Sequence, residues 1–106
     1  MTTPEGQVKN AIKKELDHLG CYYFMPVQTG LGKRTLDFLV CFRGLFYGIE
    51  AKRPGEKPTA LQEKCIRDIR KAGGDCIVID SVQLTAHLPR WLASHSAATL
   101  DEKNPY

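Results

Sequence analysis

Two segments separated by only two residues, TLDFLVCF (35–42) and LFYGIEAKR (45–53), are apolar on both of their strand faces. Side chains alternate along a strand, so a strand with one wet face reads as alternating polarity, whereas continuous apolar runs mark strands covered by helices on each side. The pair therefore calls for a layered α/β fold with these two strands near the centre. Arg43-Gly44 between them is short enough for a hairpin turn, although it is not the favoured Asn-Gly.

The charges in these strands are the anomaly. Glu50 and Lys52 lie two positions apart and so share a face, with only Ala51 turned to the other. A two-residue turn pairs Phe42 with Leu45, and counting back along both strands brings Asp37 opposite Glu50. Facing residues have Cβ atoms about 4.5–5.5 Å apart on one side of the sheet. Two carboxylates and an ammonium are thus expected to meet on a face that is otherwise apolar.

The remaining pattern supplies the covering layers. Val8, Ile12, Leu16 and Leu19 recur at helical spacing from Pro4 onward, and Gly20 ends that helix. Extending the stripe back reaches Glu5, either a first-turn acid favoured by the helix dipole or an acid aimed at the edge of the core. CYYFMPV (21–27) reads as a strand that Pro26 confines to an edge or an early end. QTGLGKR (28–34) is a glycine-rich loop but not a Walker A loop, since Val27 stands where a glycine is required and Arg34 follows Lys33.

A second helix is expected over 59–73, with Leu61, Cys65, Ile66 and Ile69 inward and Gly73-Gly74 as its stop. DCIVID (75–80) reads as a short apolar strand returning parallel. Ser81 then caps a last helix carrying Leu84, Leu88, Trp91 and Leu92, which Pro89 kinks or divides. The order is helix, three strands, helix, strand, helix, giving a mixed central sheet flanked by helices. Residues 1–94 form one domain and 95–106 a polar, flexible C-terminal tail.

A chain of 106 residues holds one modest core. No apolar run is long enough for a bilayer and MTTPEGQVKN lacks the apolar stretch of a signal peptide, so the protein reads as cytoplasmic with no membrane partner. Cys21, Cys41, Cys65 and Cys76 are widely spaced within apolar patterns and read as buried reduced thiols; with His18, His87 and His95 they complete no zinc spacing. The net charge of +3 permits a polyanionic partner without requiring one.

Burying Asp37 and Glu50 together is costly, because like charges repel and burial penalises each ionised form. Lys52 supplies one positive charge against two negative ones. An oxygen-seeking divalent ion, Mg2+ or Mn2+, would restore the balance. Metal between carboxylates with a lysine alongside is the equipment of phosphodiester hydrolysis. The alternative is a cross-strand salt-bridge array with no chemistry.

LDFLV followed by GIEAK resembles the PD-(D/E)XK nuclease superfamily, whose restriction-endonuclease-like αβββαβ core matches the order above. More narrowly, the helix with Glu5, the glycine-rich loop, Asp37, Glu50-Ala51-Lys52 and Gln62 resemble the virus-type replication-repair nuclease (VRR-NUC) domain, in its compact standalone form found in phages and bacteria, over roughly residues 4–92. One departure is Leu36, where the family has proline before the aspartate. The resemblance implies Asp37, Glu50 and the Ala51 backbone carbonyl as metal ligands, Lys52 as the catalytic lysine and Glu5 as a supporting acid, direct or through water.

Gln62 has two open readings. Thr59-Ala60-Leu61-Gln62 fits a capping box, whereas the family's corresponding glutamine lies at the rim of the active site. Lys33, Arg34, Arg53 and Lys57 bracket the site in loops and suit contact with DNA phosphates. The expected function is a metal-dependent DNA endonuclease, a homodimer selective for branched DNA such as four-way junctions. The alternative from another class is a non-catalytic nucleic-acid-binding module retaining the nuclease fold.

Overall fold

The computed structural model describes residues 2–27 and 35–95. In chain order these form α1 (Pro4–Leu19), β1 (Tyr22–Phe24), β2 (Phe38–Phe42), β3 (Leu45–Ala51), α2 (Ala60–Lys71), β4 (Asp75–Ile79), a 3-10 helix (Gln83–His87) and α3 (Leu88–Ala93). The strands make one mixed sheet in the order β1-β2-β3-β4, antiparallel up to β3, with β4 parallel to it. The element order is the expected one, and Pro89 divides the last helical region into its 3-10 and α parts. Among the described residues no helix is long and apolar enough to cross a membrane.

Local chemistry fixes the helix ends. Thr3 caps α1 by accepting the Gly6 N–H at 3.0 Å, Pro4 opens the helix, and Gly20 closes it with φ of 72°. In the hairpin turn both Arg43 (φ 54°) and Gly44 (φ 80°) are left-handed, which is the primed turn that matches strand twist. Arginine is an unusual residue there, and its guanidinium lies 5.0 Å from the centre of the Phe42 ring.

The two faces of the sheet are unequal. Val8, Ile12 and Leu16 of α1 and Leu88 and Leu92 of α3 pack on Phe38, Val40, Leu45, Tyr47, Ile49, Ala51 and Ile79, forming the larger core. Beneath α2 the buried cluster is only Leu36, Cys65, Ile66 and Cys76, with Ile69 and Val78 against it. Gly48 makes this thin layer possible, because a Cβ there would meet Leu36 Cδ1 at 2.7 Å and Ile69 Cδ1 at 3.1 Å.

Several expectations change, on this thinner side and elsewhere. The hairpin is not fully covered: Phe46 is half-exposed and Cys41 exposed, because α2 leaves an apolar groove lined by Leu39, Phe46, Ile69 and Ala72. Leu61 is exposed rather than inward, since it stands in the first turn of α2, beyond the sheet. All four cysteines are free, but only Cys65 and Cys76 are buried. Leu84 is also exposed: the three-residue turn of the 3-10 helix directs Thr85 inward instead, while Ser81 Oγ still accepts the Leu84 N–H at 3.2 Å.

Packing reaches at least to His95. Its ring stands edge-on to Trp91 and Tyr47, and its Nε2 lies 2.8 Å from Asp75 Oδ2. Burial pushes the Asp75 carboxyl up, but contacts with His95, the Cys76 N–H and Arg70 outweigh it and hold the group below its usual range. The rest of the expected tail, 96–106, lies outside the described residues.

Candidate active site

β3 crosses the middle of the sheet and delivers Glu50 and Lys52 to the α2 face at its C-terminal end. The β2–β3 register is the expected one, but the ladder stops at Phe38–Ile49, one pair short of Asp37 and Glu50. In place of that pair the two acids cross over. The Asp37 N–H donates to Glu50 Oε1 at 3.2 Å, and the Ala51 N–H donates to Asp37 Oδ2 at 2.9 Å. Each carboxylate thus caps backbone of the opposite strand, which fixes both side chains without a further ladder bond.

Lys52 completes the cluster. It is 6% exposed and its Nζ lies 3.6 Å from Glu50 Oε2 and 3.7 Å from Glu56 Oε1. The strand end that carries it is pinned by its own N–H, which donates to the Ile79 carbonyl at 2.9 Å. Glu50 is only 2% exposed. Burial and the Asp37 charge push its carboxyl up to about 7, against the opposing pull of Lys52. The Lys52 charge does not offset the burial of Glu50 and the neighbouring Asp37.

Gln62 closes the expected capping box and also reaches Glu50. Its Oε1 accepts the Thr59 N–H at 2.9 Å while the Gln62 N–H donates to Thr59 Oγ1 at 3.2 Å, closing the capping box. Its Nε2 donates to Glu50 Oε2 at 2.8 Å. The amide accepts at the cap with its oxygen and donates to the acid with its nitrogen, which an ionised carboxylate in its place could not do. Gln62→Glu keeps the cap acceptor and sets an anion against Glu50, so it is expected to destabilise the protein by about 1–3 kcal/mol. Urea unfolding checks this: the loss is expected to be larger at pH 8 than at pH 5, where Glu50 is protonated.

Glu5 is half-buried in the first turn of α1, and Lys9 bridges it to Asp37, at 3.5 Å from Glu5 Oε2 and 3.6 Å from Asp37 Oδ1. A pocket of about 310 Å³ is lined by Glu5, Asp37, Glu50, Lys52, Leu61 and Gln62. It opens where the N-termini of α1 and α2 meet the end of the sheet. Arg53 and Lys57 are exposed on the loop after β3, and Arg53 Nε is held 3.2 Å from Glu56 Oε2. Lys33 and Arg34 lie outside the described residues.

Lys9 and Glu56 were not singled out from the sequence. Lys9 had a signal, standing four residues after Glu5 on the same helix side. Glu56 had none, because it sits in an irregular loop.

Among the described residues no three acidic, histidine or cysteine side chains gather as a metal-binding group. The Asp37–Glu50 pair nevertheless suits a hard divalent ion, which commonly takes one or two carboxylates and leaves its other positions to water and substrate phosphate. Burial first, and the Asp37 charge second, raise the Glu50 carboxyl, and a cation at the pair would offset the second of these.

No family model and no curated protein matches the chain. A solved structure described as a VRR_NUC domain does: it superposes with a TM-score of 0.72 at 26% sequence identity, over 84% of this chain and 97% of that one. The four-stranded mixed sheet with helices on both faces is consistent with a restriction-endonuclease-like core, and the chain has the VRR-NUC fold, that of a nuclease-type domain.

Proposed function

We propose that the chain is a Mg2+- or Mn2+-dependent DNA endonuclease that hydrolyses phosphodiester bonds in branched DNA. The observation that carries this is the crossed pair of Asp37 and Glu50 with the Lys52 ammonium 3.6 Å from Glu50, all in one pocket. On this reading Asp37, Glu50 and the Ala51 carbonyl hold the ion, with Glu5 assisting directly or through a water. Such an ion, when bound, supplies a water of lowered pKa and polarises the phosphoryl oxygen.

The protein's own groups do the rest. Lys52, desolvated and fixed at a strand end, presents an ammonium to the scissile phosphate, orienting the attacking water or stabilising the developing charge. Gln62 holds Glu50 in one rotamer. Arg53 and Lys57, with Lys33 and Arg34, neutralise flanking phosphates, a contact to backbone rather than to bases.

Homodimerisation would set two such sites against two strands of a junction. The exposed aromatic side chains of the edge strand β1, Tyr22 and Phe24, supply an apolar surface for it. The test is cleavage of matched linear, flapped and four-way-junction DNA with Mg2+, Mn2+ or EDTA. Metal-dependent cutting that favours the junction is expected. Cutting in EDTA, or no cutting with either metal, would overturn the reading.

A further inference from the structure

The roles above leave two charged side chains at the site unused, Glu56, which faces Lys52, and Lys9, which faces the acids. Of the four oxygens of Asp37 and Glu50, three hold donors fixed by the fold: Asp37 Oδ2 takes the Ala51 N–H, Glu50 Oε1 the Asp37 N–H, and Glu50 Oε2 the Gln62 amide and Lys52. Among the described residues, the partner of the fourth, Asp37 Oδ1, is Lys9 at 3.6 Å, and the same ammonium is 3.5 Å from Glu5 Oε2. Lys9 therefore stands between the two acids that the metal reading assigns to one ion.

Its setting differs from that of Lys52. The Lys9 side chain is 33% exposed, against 8% for Lys52, and its ammonium is carried on a flexible four-carbon stem from α1. A half-wet ion pair of this kind is weak and easily exchanged, whereas the buried Lys52 is held in place.

We propose that Lys9 is an exchangeable counter-cation: it neutralises Asp37 and Glu5 while the site holds no metal, and yields both carboxylates when a divalent cation enters. It is a positioning residue acting through Asp37 and Glu5. This inference rests on the metal-dependent reading of the site, and it adds that the empty site carries its own competitor for the ion.

The test uses the full chain and Mn2+ alone, without DNA. Wild type, Lys9→Met and Lys9→Arg are compared by calorimetric Mn2+ titration and by thermal melting with and without saturating Mn2+. Lys9→Met is expected to bind Mn2+ about twofold to fivefold more tightly, the range set by an exposed ion pair. It is expected to melt a few degrees below wild type without metal, and level with it in Mn2+. Lys9→Arg is expected to follow wild type in both measurements.

Unchanged or weaker Mn2+ binding by Lys9→Met would overturn the inference, as would a melting deficit that persists in saturating Mn2+, the behaviour of a fixed structural ion pair. If wild type itself binds no Mn2+, the metal-dependent reading fails and takes the inference with it. That outcome is distinct from the other two, in which wild type still binds.

Discussion

Lys52→Met is expected to lower single-turnover DNA cleavage by roughly 10²–10⁴-fold while leaving DNA affinity within a few-fold of wild type. Methionine keeps most of the buried stem and removes only the ammonium. The charge lost is desolvated and sits beside the acids, where an electrostatic contribution to the transition state is large, whereas overall DNA affinity is spread over many phosphate contacts. Stability is the competing explanation, since the variant leaves Glu50 without its cation. Glu50 can take up a proton instead, because its carboxyl already lies near 7, so the fold is expected to survive. Circular dichroism and Mn2+ titration on the same sample separate the two explanations. Cutting within a few-fold of wild type by a folded variant would show that Lys52 is a structural partner of Glu50 and Glu56.

How much of this was legible beforehand depends on which residues carried a periodic signal. The α1 stripe and the β2–β3 register followed directly from spacing and turn length, because the α1/α3 side is a large continuous core in which pattern and burial coincide. Two helix starts obeyed pattern less well. Leu61 and Leu84 fit an apolar stripe yet stand exposed, one beyond the sheet edge and the other rotated outward by a 3-10 turn that the sequence does not announce. At the site, the meeting of Asp37 and Glu50 was readable from a two-residue turn, but the crossing of each acid onto the opposite backbone was not. That geometry exists because the ladder ends one pair early, and ladder ends have no sequence signature. Gln62 shows a related limit: a capping box predicts one acceptor and one N–H, and says nothing of where the spare amide hydrogens point.

The pH dependence of the metal-free protein gives the second large effect. Burial and the neighbouring Asp37 raise the Glu50 carboxyl from 4.5 to about 7. Between those values the folded protein keeps a proton that the unfolded chain has released. Stability contributed by this group is therefore full below about 4.5, falls as pH rises toward about 7, and is lost above it. A divalent ion needs the carboxylate free of its proton, so Mn2+ affinity is expected to run the other way, rising about tenfold per pH unit up to about 7 and then levelling. At pH 8, Mn2+ at a hundredfold excess over its Kd adds about 2.7 kcal/mol, an increase in Tm on the order of 10 °C for a domain of this size. At pH 5.5 the same concentration is only about threefold above the weakened Kd and is expected to add somewhat under 1 kcal/mol, about a third of the effect at pH 8. Asp37→Asn sharpens the test, because it removes both a ligand and the charge that helps raise Glu50: its metal-free stability is still expected to begin falling near 4.5 but to level off at a lower pH than wild type, and its Tm to ignore Mn2+ throughout. A Mn2+-induced shift of equal size at pH 5.5 and pH 8 would mean that the ion binds away from Glu50, and would remove the physical basis for placing catalysis in this pocket.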